Sequence, residues 1–343
     1  MTSGGTAKPR PSSGAADRSP SSAAGDTDGL FDDAFLKRLE YLDIVSKKAA
    51  ASAERGERRS KKLGAGLEFA DHRRYSPGDD FKHIDWNVYA RLGKLLVRQY
   101  EEEEDLFIYV LVDASASMAV GRDAVPVKAR ARGEVVPQKD LHGVSPARTK
   151  LDQARRLAAA LAYIALASLD RASLVTFSEK LGQRLMPARG KAQIFRIFDF
   201  LRNVQVGGRT SFEDAMRAFV HETKRRGVVV VLSDFYAQDG WEAGLNYLRY
   251  NRFEPVVIQL VDLRELEPNL RGDILLVDVE TQETKEMTLT PKLLDKYRAA
   301  HAQFCGELET FCKGSQIAYY KTTVQAPFDE VVMSILRAGG FLA

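Results

Sequence analysis

A short run of side-chain oxygens follows what the sequence predicts to be a buried strand. The stretch LFIYVLVDASASMAVG covers residues 106–121, and its apolar residues 107–112 are typical of a strand in the interior of a sheet. Asp113, Ser115 and Ser117 come directly after that strand, at alternate positions. Carboxylate and hydroxyl oxygens are hard ligands, so we predict that these residues hold a divalent metal ion.

Two later segments offer oxygens of the same kind. Thr210 follows Gly207 and Gly208 at the start of a predicted helix, and Asp234 follows the apolar run VVVVLS. Ligands of open α/β sheets collect at the carboxyl ends of the strands, where these segments are expected to meet. Together with the first segment they supply three hydroxyls and two carboxylates, which suit Mg²⁺ or Mn²⁺ and not zinc. The two glycines allow the backbone to come close to the site.

Each of these residues also has an ordinary structural explanation. Ser115 and Ser117 are of a type common in turns. Thr210 can cap the helix that follows it, with Glu213 completing a capping box, and Asp234 can cap the next helix. The metal prediction rests on the combination of the segments in this order, each at the end of a strand or loop.

The elements that must position these side chains alternate between strands and helices from residue 106 onward. The predicted strands, which are short and apolar, are residues 107–112, 173–177, 228–233, 255–261 and 316–320. The predicted helices, which are amphipathic, are residues 151–169, 193–204, 211–226, 241–250, 291–313 and 328–336. This alternation predicts an α/β fold, with a mainly parallel sheet and helices on both faces. Residues 273–290 are the exception and predict an antiparallel hairpin at a sheet edge.

The connection between the first strand and its helix is unusually long. Residues 121–150 are basic and contain three prolines, two of them beside short apolar pieces. A connection between a strand and a helix normally takes a few residues. We interpret residues 121–150 as a loop insertion on the metal face, either a mobile surface loop or a lid that contacts a partner or a phosphate.

The chain before residue 106 has a different character. Residues 1–29 are rich in Ser, Gly, Ala and Pro and predict a disordered tail. Residues 34–53 have a helical period, and the charged, turn-rich segment after them predicts a small irregular or β-containing module. The expected organisation is a tail (1–29), an N-terminal helix with its module (30–105) and an α/β domain (106–343) with the insertion at 121–150.

Composition disfavours several classes of protein. The 343 residues are 45% hydrophobic and 28% charged, which is typical of a globular protein. A formal net charge of +3 is small for a nucleic-acid binder. The two cysteines, Cys305 and Cys312, indicate neither a disulfide scaffold nor a four-ligand zinc site. No signal peptide or membrane span is visible, so we expect a cytoplasmic protein.

The order of these oxygen-bearing residues resembles the metal-ion-dependent adhesion site of von Willebrand factor A domains. The matching positions are Asp113, Ser115, Ser117, Thr210 and Asp234. The resemblance implies a Rossmann-like fold in which both serines bind the metal directly, the threonine binds directly or through water, and the aspartates act through water. It also implies that an acidic residue of a protein partner completes the coordination.

A second resemblance covers the preceding module. The segment RRYSPGDDFKHIDWNVYARLGKLLVRQYEEE resembles the signature of the domain of unknown function 58 family, and residues 260–281 resemble a later block of that family. The matching residues of the signature are Arg74, Tyr75, Gly78, Asp79, Asp80, Ile84, Asp85, Trp86, Ala90 and Arg91. The resemblance spans roughly residues 63–336 without the insertion. It implies a bacterial protein that serves as an adaptor or chaperone-like partner of a MoxR-type AAA+ ATPase.

The charges of the signature have mainly a structural interpretation. We expect Arg74 and Arg91 to form ion pairs with its aspartates and Trp86 to anchor the module against the sheet; a partner-docking face is the alternative. A second metal site is conceivable among four later acidic residues, but solvated loops and strand ends are the preferred interpretation of Asp262, Glu267, Asp278 and Glu280.

The sequence contains no recognisable catalytic constellation. It has neither a G-x-x-x-x-G-K-[ST] phosphate-binding loop nor a G-x-S-x-G nucleophile elbow, and its five histidines are scattered. A phosphatase with an aspartyl nucleophile needs a second carboxylate at the position of Ser115. We therefore predict a non-enzymatic, metal-dependent protein–protein interaction module. A Mg²⁺-dependent hydrolase of phosphoryl substrates is the alternative.

Overall fold

Most of the chain folds around one large sheet, seen in a computed structural model. The structure describes residue 1 and residues 30–53, 63–64, 68–101, 106–120, 149–237, 240–268 and 272–337. Residues 2–29 of the predicted tail and residues 121–148 of the predicted insertion lie outside the described residues.

The predicted N-terminal helix is present as α1 (Asp33–Ala53). Asp32 accepts a hydrogen bond from the Phe35 amide through Oδ1 at 2.7 Å, which fixes the first turn. Leu39 and Leu42 follow Phe35 at helical spacing, and all three side chains are buried. The helix therefore turns one apolar face into the main core of the protein.

A small antiparallel sheet and a short helix form the module that follows. Its elements are β1 (Leu63–Gly64), β2 (Glu68–Arg74), α2 (Trp86–Leu92) and β3 (Leu96–Glu101), with the strands in the order β1-β3-β2. Asp85 caps α2, because its Oδ1 accepts hydrogen bonds from the amides of Asn87 and Val88 at 3.0 and 3.1 Å. Its Oδ2 lies 3.0 Å from both Arg98 Nε and His72 Nε2, which ties the helix to the strands.

The signature charges do form ion pairs, but the basic partners differ from those predicted. Arg73 pairs with Asp79 at an Nη1–Oδ2 distance of 2.7 Å, and Arg98 pairs with the capping aspartate. Within the described part of the chain, Arg73 and Arg98 therefore form the ion pairs that were predicted for Arg74 and Arg91. The β2–β3 pairing places Arg98 opposite His72, whereas Arg91 lies in the last turn of α2.

The prediction that Trp86 anchors the module against the sheet is wrong. Trp86 is the first residue of α2 and is 57% exposed, with its ring at 6.1 Å from the ring of Tyr89 in an edge-on contact. The seven-residue helix buries none of its own residues, and Tyr89 and Leu92 are exposed like Trp86. Its conformation depends on the Asp85 cap instead.

The apolar runs predicted as strands lie side by side in one six-stranded sheet. The remaining strands are β4 (Phe107–Asp113), β5 (Arg171–Phe177), β6 (Leu181–Arg189), β7 (Val228–Ser233), β8 (Glu254–Val261), β9 (Gly272–Val277), β10 (Thr284–Leu289) and β11 (Ala318–Thr323). The sheet order is β11-β8-β7-β4-β5-β6, and every neighbouring pair is parallel except β5–β6.

Strand β6 was not predicted from the sequence. It lies at the edge of the sheet, antiparallel to β5, and its residues are exposed or only partly buried. It also contains Pro187, which lacks an amide hydrogen and suits an edge position. The strand therefore lacks the continuous apolar run by which the core strands were recognised.

Helices cover both faces of the large sheet, as predicted. They are α3 (Lys150–Ala167), α4 (Ile194–Arg202), α5 (Phe212–Glu222), α6 (Glu242–Tyr250), the short α7 (Leu263–Leu266), α8 (Pro291–Gly314) and α9 (Phe328–Arg337). One core joins α1, α3, α4 and α9 to one face, and a second joins α5, α6 and α8 to the other. The predicted α/β fold class is confirmed. Of the helices that the structure describes, none has both the length and the apolar character that a bilayer crossing requires.

The predicted hairpin is formed by β9 and β10. The two strands pair antiparallel as a separate two-stranded sheet and not as an edge of the large one. The turn between β9 and β10 nevertheless brings the Glu280 side chain into hydrogen-bonding contact with Ser117, which follows β4.

Candidate metal centre

Two carboxylates lie at the carboxyl edge of the sheet, on neighbouring strands. Asp113 is the last residue of β4, and Ser233 is the last residue of β7. The two strands are parallel, with Val112 opposite Leu232, so Asp113 and Ser233 end side by side and Asp234 follows immediately. Asp113 is 0% exposed and Asp234 is 1% exposed. Both acids therefore lie beneath the surface of this edge.

The Asp113 carboxylate is held on both oxygens. Its Oδ1 accepts a hydrogen bond from the Ser115 amide at 2.9 Å, and its Oδ2 accepts one from the Ser233 hydroxyl at 2.5 Å. Burial and the nearby charge of Asp234 raise the pKa of Asp113 to about 7, although the hydrogen bonds from the two serines oppose that rise. A cation at this edge would favour the charged form. Ser233 was missed from the sequence, and its only signal was its place between a strand and Asp234.

Ser115 and Ser117 present their hydroxyls to one another. Their Oγ atoms lie 3.0 Å apart, and both residues are buried. Ser115 precedes a short 3₁₀ turn at Ala116–Ala119, but its side chain makes no capping hydrogen bond there. The turn interpretation therefore does not explain the orientation of these hydroxyls, because the Ser115 side chain forms no hydrogen bond that caps the turn.

The glycine loop is joined directly to this turn. The Gly207 amide donates to the Ala114 carbonyl at 3.0 Å, and the Ala116 amide donates to the Gly208 carbonyl at 3.2 Å. Gly208 has a φ of +78°, a left-handed conformation that glycine adopts without a steric penalty. These bonds bring the loop that carries Thr210 to the serine turn, as the sequence predicted.

Thr210 carries a buried hydroxyl. It is 6% exposed, and its Oγ1 has no hydrogen-bond partner among the residues that the structure describes. It is not the helix cap, because Ser211 is the N-cap of α5 and directs its hydroxyl to Asp214 Oδ2 at 3.0 Å. Buried polar groups nearly always have a partner, so this oxygen is available to bind a ligand.

Asp234 does not cap a helix either. Helix α6 begins at Glu242, well beyond it. Its Oδ1 accepts from the Tyr236 amide at 3.1 Å, and its Oδ2 accepts from Lys150 Nζ at 2.7 Å. Lys150 also donates to Glu265 Oε1 at 2.6 Å and lies 4.9 Å from the centre of the Tyr236 ring. One buried ammonium therefore pairs with two carboxylates beside the site.

Lys150 was missed from the sequence, where it was assigned to the insertion. It is the first residue of α3 and its side chain is 1% exposed. Burial would lower the pKa of Lys150, but Asp234 and Glu265 more than compensate and raise it, so the amine stays charged. The available signal was the capping box of Thr149 and Asp152, which places Lys150 in the first helical turn.

The four later acidic residues, predicted to be solvated, divide into two groups. Glu267 and Asp278 are exposed as expected. Asp262 is instead 3% exposed, caps α7 and accepts from Arg264 Nε at 3.0 Å. Glu280 is also partly buried, which the prediction did not anticipate.

Glu280 reaches the oxygen cluster from the turn of the β9–β10 hairpin. Burial and the charge of Asp234 raise its pKa, and hydrogen bonding to the Ser117 side chain and the Thr210 backbone opposes the rise. Its Oε1 is buried and, like Thr210 Oγ1, has no hydrogen-bond partner within the described residues. A carboxylate thus lies against two of the five predicted metal ligands.

The five predicted ligands lie together at one edge of the sheet, and their chemistry fits a hard divalent ion. Within the described ranges, no three His, Cys, Asp or Glu side chains are grouped closely enough to hold a metal by themselves. An ion here would depend on the serine and threonine hydroxyls, with the aspartates behind them. The unpartnered Thr210 oxygen is the observation that favours this fit.

The chain matches one family model and several mycobacterial proteins. The family model described as "Protein of unknown function DUF58" matches residues 71–136 and 135–304. Uncharacterized protein Rv1480 of Mycobacterium tuberculosis is 26% identical over 299 residues, which is 86% of each chain. Uncharacterized protein MAV169 of Mycobacterium avium is 34% identical over 97 residues, covering 28% of this chain and 57% of that protein.

Solved structures resemble the chain more distantly. The conserved hypothetical protein BatB of Bacteroides thetaiotaomicron has a TM-score of 0.39 and 11% identity, covering 68% of this chain and 96% of its own. An aerotolerance-related membrane protein of Bacteroides fragilis has a TM-score of 0.36 and 13% identity, and the match covers 67% of this chain and 96% of that protein. No functional conclusion follows from similarity at this level.

Proposed function

We propose that this chain, which belongs to the DUF58 family, binds a Mg²⁺ or Mn²⁺ ion at the carboxyl edge of its large sheet and uses it to bind an acidic side chain of a partner protein. The observation that carries the proposal is the buried Thr210 hydroxyl, which has no hydrogen-bond partner among the described residues and lies on the loop bonded to the Ser115–Ser117 turn. A hard cation would give this buried oxygen a strong interaction, and without the cation the oxygen has no such interaction.

The proposed ligands follow from the contacts of each side chain. Ser115, Ser117 and Thr210 supply neutral oxygens. Asp113 and Asp234 are already engaged by protein donors on both carboxylate oxygens, so they act behind the hydroxyls. This division agrees with the roles implied by the resemblance to metal-ion-dependent adhesion sites.

An acidic ligand is proposed because of the charge that remains on the ion. Three neutral hydroxyls leave a divalent cation electrophilic, and a carboxylate from outside gives a short, charge-assisted contact. The resemblance to the family suggests a MoxR-type AAA+ ATPase as the partner. The proposal assigns no catalytic step to the site, because Ser115 occupies the position where an aspartyl phosphatase needs its second carboxylate.

Metal binding is tested through thermal stability. An ion that binds only the folded state stabilises it, so millimolar Mg²⁺ should raise the melting temperature of protein first stripped with a chelator. The double variant Ser115→Ala/Ser117→Ala should lose that rise. Ser211→Ala is the matched control: it removes a hydroxyl next to Thr210 that points to Asp214, and it should keep the rise.

Partner binding is tested by affinity capture with the same proteins. Retention of the partner should require the divalent ion, disappear with chelator, and be absent from the double variant but not from the control. Binding that is indifferent to both chelator and mutation would contradict the proposal. Mg²⁺-dependent hydrolysis of a phosphate ester that Asp113→Asn abolishes would favour the hydrolase alternative instead.

A further inference from the structure

The turn of the β9–β10 hairpin is built to hold one side chain in a fixed direction. Asp278 Oδ1 accepts hydrogen bonds from the amides of Glu280 and Thr281 at 2.8 and 2.9 Å. The backbone closes through the Gln282 amide, which donates to the Asp278 carbonyl at 2.8 Å. These backbone hydrogen bonds lower the pKa of Asp278, and the nearby charge of Arg209 lowers it further. The turn is therefore ordered internally and lies over the glycine loop.

The side chain that this turn presents is Glu280. Its carboxyl interacts with the Ser117 hydroxyl and the Thr210 backbone, on opposite loops of the metal centre. Two buried oxygens remain unpartnered there within the described part of the chain, Thr210 Oγ1 and Glu280 Oε1. The charge of Asp234 also acts unfavourably on Glu280. A carboxylate that is buried near another carboxylate, with an oxygen left unbonded, is stabilised either by taking up a proton or by a cation in the site.

We propose that Glu280 is an intrinsic ligand of the metal, which occupies the coordination position that a partner's carboxylate would take. The inference rests on the metal-binding function proposed above. A carboxylate on an ordered turn of the same chain competes with any external acid without loss of translational freedom. Partner binding at the ion then requires the hairpin tip to move away, so the hairpin is an internal competitor of the partner.

The test compares Glu280→Gln with Glu283→Gln. Glutamine keeps the length of the side chain and can still bond to Ser117 and Thr210, but it is a much weaker metal ligand. Glu283 is exposed on the same turn, so its variant makes an equal change of charge away from the site. Mn²⁺ is the metal probe, because water-proton relaxation reports both its binding and the water molecules bound to it. Acetate is the probe for access of an external carboxylate.

We expect Glu280→Gln to bind Mn²⁺ about tenfold more weakly, because an anionic ligand is lost. The bound Mn²⁺ should carry more exchangeable water than in the wild type. Added acetate should displace that water in Glu280→Gln at concentrations that leave the wild type unchanged. Glu283→Gln should behave as the wild type in all three measurements. Loss of the hairpin structure would remove the same carboxylate from the ion, so the urea unfolding curve of Glu280→Gln must match that of the wild type for these changes to be assigned to the side chain.

The outcomes separate this inference from the function on which it rests. If the wild type binds Mn²⁺ and the serine double variant does not, but Glu280→Gln matches the wild type in affinity, water content and acetate response, Glu280 is not a ligand and the metal site stands. If the wild type binds no Mn²⁺, the metal site and its intrinsic ligand both fail. Glu280→Asp, which keeps the charge on a shorter side chain, should retain more Mn²⁺ affinity than Glu280→Gln; equal losses in both would contradict the proposal.

Discussion

Replacing Lys150 with methionine removes the ammonium that pairs with both Asp234 and Glu265. Lys150 Nζ lies 2.7 Å from Asp234 Oδ2 and 2.6 Å from Glu265 Oε1, and the side chains of Lys150 and Asp234 are each 1% exposed. Methionine fills a similar volume with an unbranched side chain, so the variant mainly removes charge. The Asp234 carboxylate is then left buried without its cation.

The magnitude follows from the burial of the three groups. Removing one partner of a buried ion pair costs about 3–5 kcal/mol, because the remaining charge stays desolvated. Two features limit the loss. Glu265 is 24% exposed and keeps contact with water, and the Tyr236 amide still donates to Asp234 Oδ1 at 3.1 Å. We therefore expect the free energy of unfolding to fall by about 3 kcal/mol.

Urea unfolding followed by circular dichroism measures this loss. The double variant Lys150→Met/Glu265→Gln should be less destabilised than the sum of its single variants, since it removes one of the two carboxylates that the lysine compensates. Lys313→Met is the control, because Lys313 pairs with Glu309 on an exposed helix face and is 72% exposed. That variant should unfold as the wild type does.

A Lys150→Met protein that unfolds within about 0.5 kcal/mol of the wild type would refute the argument, since surface substitutions alone have effects of that size. Strict additivity in the double variant would refute it as well. Either result would mean that the buried ammonium does not carry the charge compensation that its contacts indicate.

Two further predictions concern the N-terminal module. Trp86→Ala should change the free energy of unfolding by less than about 1 kcal/mol, whereas Trp241→Ala, at a residue that is 6% exposed, should lose about 3 kcal/mol or more in the same urea titration. Hydrogen bonds from Arg98 and His72 hold the pKa of Asp85 well below its usual value, so its contribution to stability is present above about pH 4 and is lost as the pH falls below that. Thermal melts should show Asp85→Asn less stable than the wild type at pH 7, with a smaller gap at pH 3, and an unchanged gap would contradict this.

The fold was predictable where burial leaves a direct mark on the sequence. Strand β7 is buried along its whole length, and its run VVVVLS shows this in the sequence. Strand β6 was missed because an edge strand needs no such run. The error at Trp86 has the opposite origin: a large aromatic residue is usually buried, but α2 leaves Trp86, Tyr89 and Leu92 exposed.

The five predicted oxygen-bearing residues could be identified because each has a defined place at a strand or loop end. The parallel register of β4 and β7 then brings Asp113 and Asp234 together without further assumptions. The alternative roles as caps could not be excluded from the sequence. Whether Thr210 or Ser211 caps α5 depends on a shift of one residue, which backbone geometry decides and residue type does not.

Lys150 and Glu280 could not be placed at the site from the sequence, because a charged residue is normally exposed and its burial depends on distant partners. Lys150 is separated from Asp234 by 84 positions and from Glu265 by 115. Local sequence signals determine only the backbone conformation at these residues. The capping box of α3 does so for Lys150, and the turn at Asp278 does so for Glu280. These two side chains nevertheless determine the charge around the proposed ion. Lys150 compensates the charges of Asp234 and Glu265, and Glu280 places a carboxyl group next to the hydroxyls. The affinity for a divalent ion that we propose for this site therefore depends on residues outside the five that the sequence predicted.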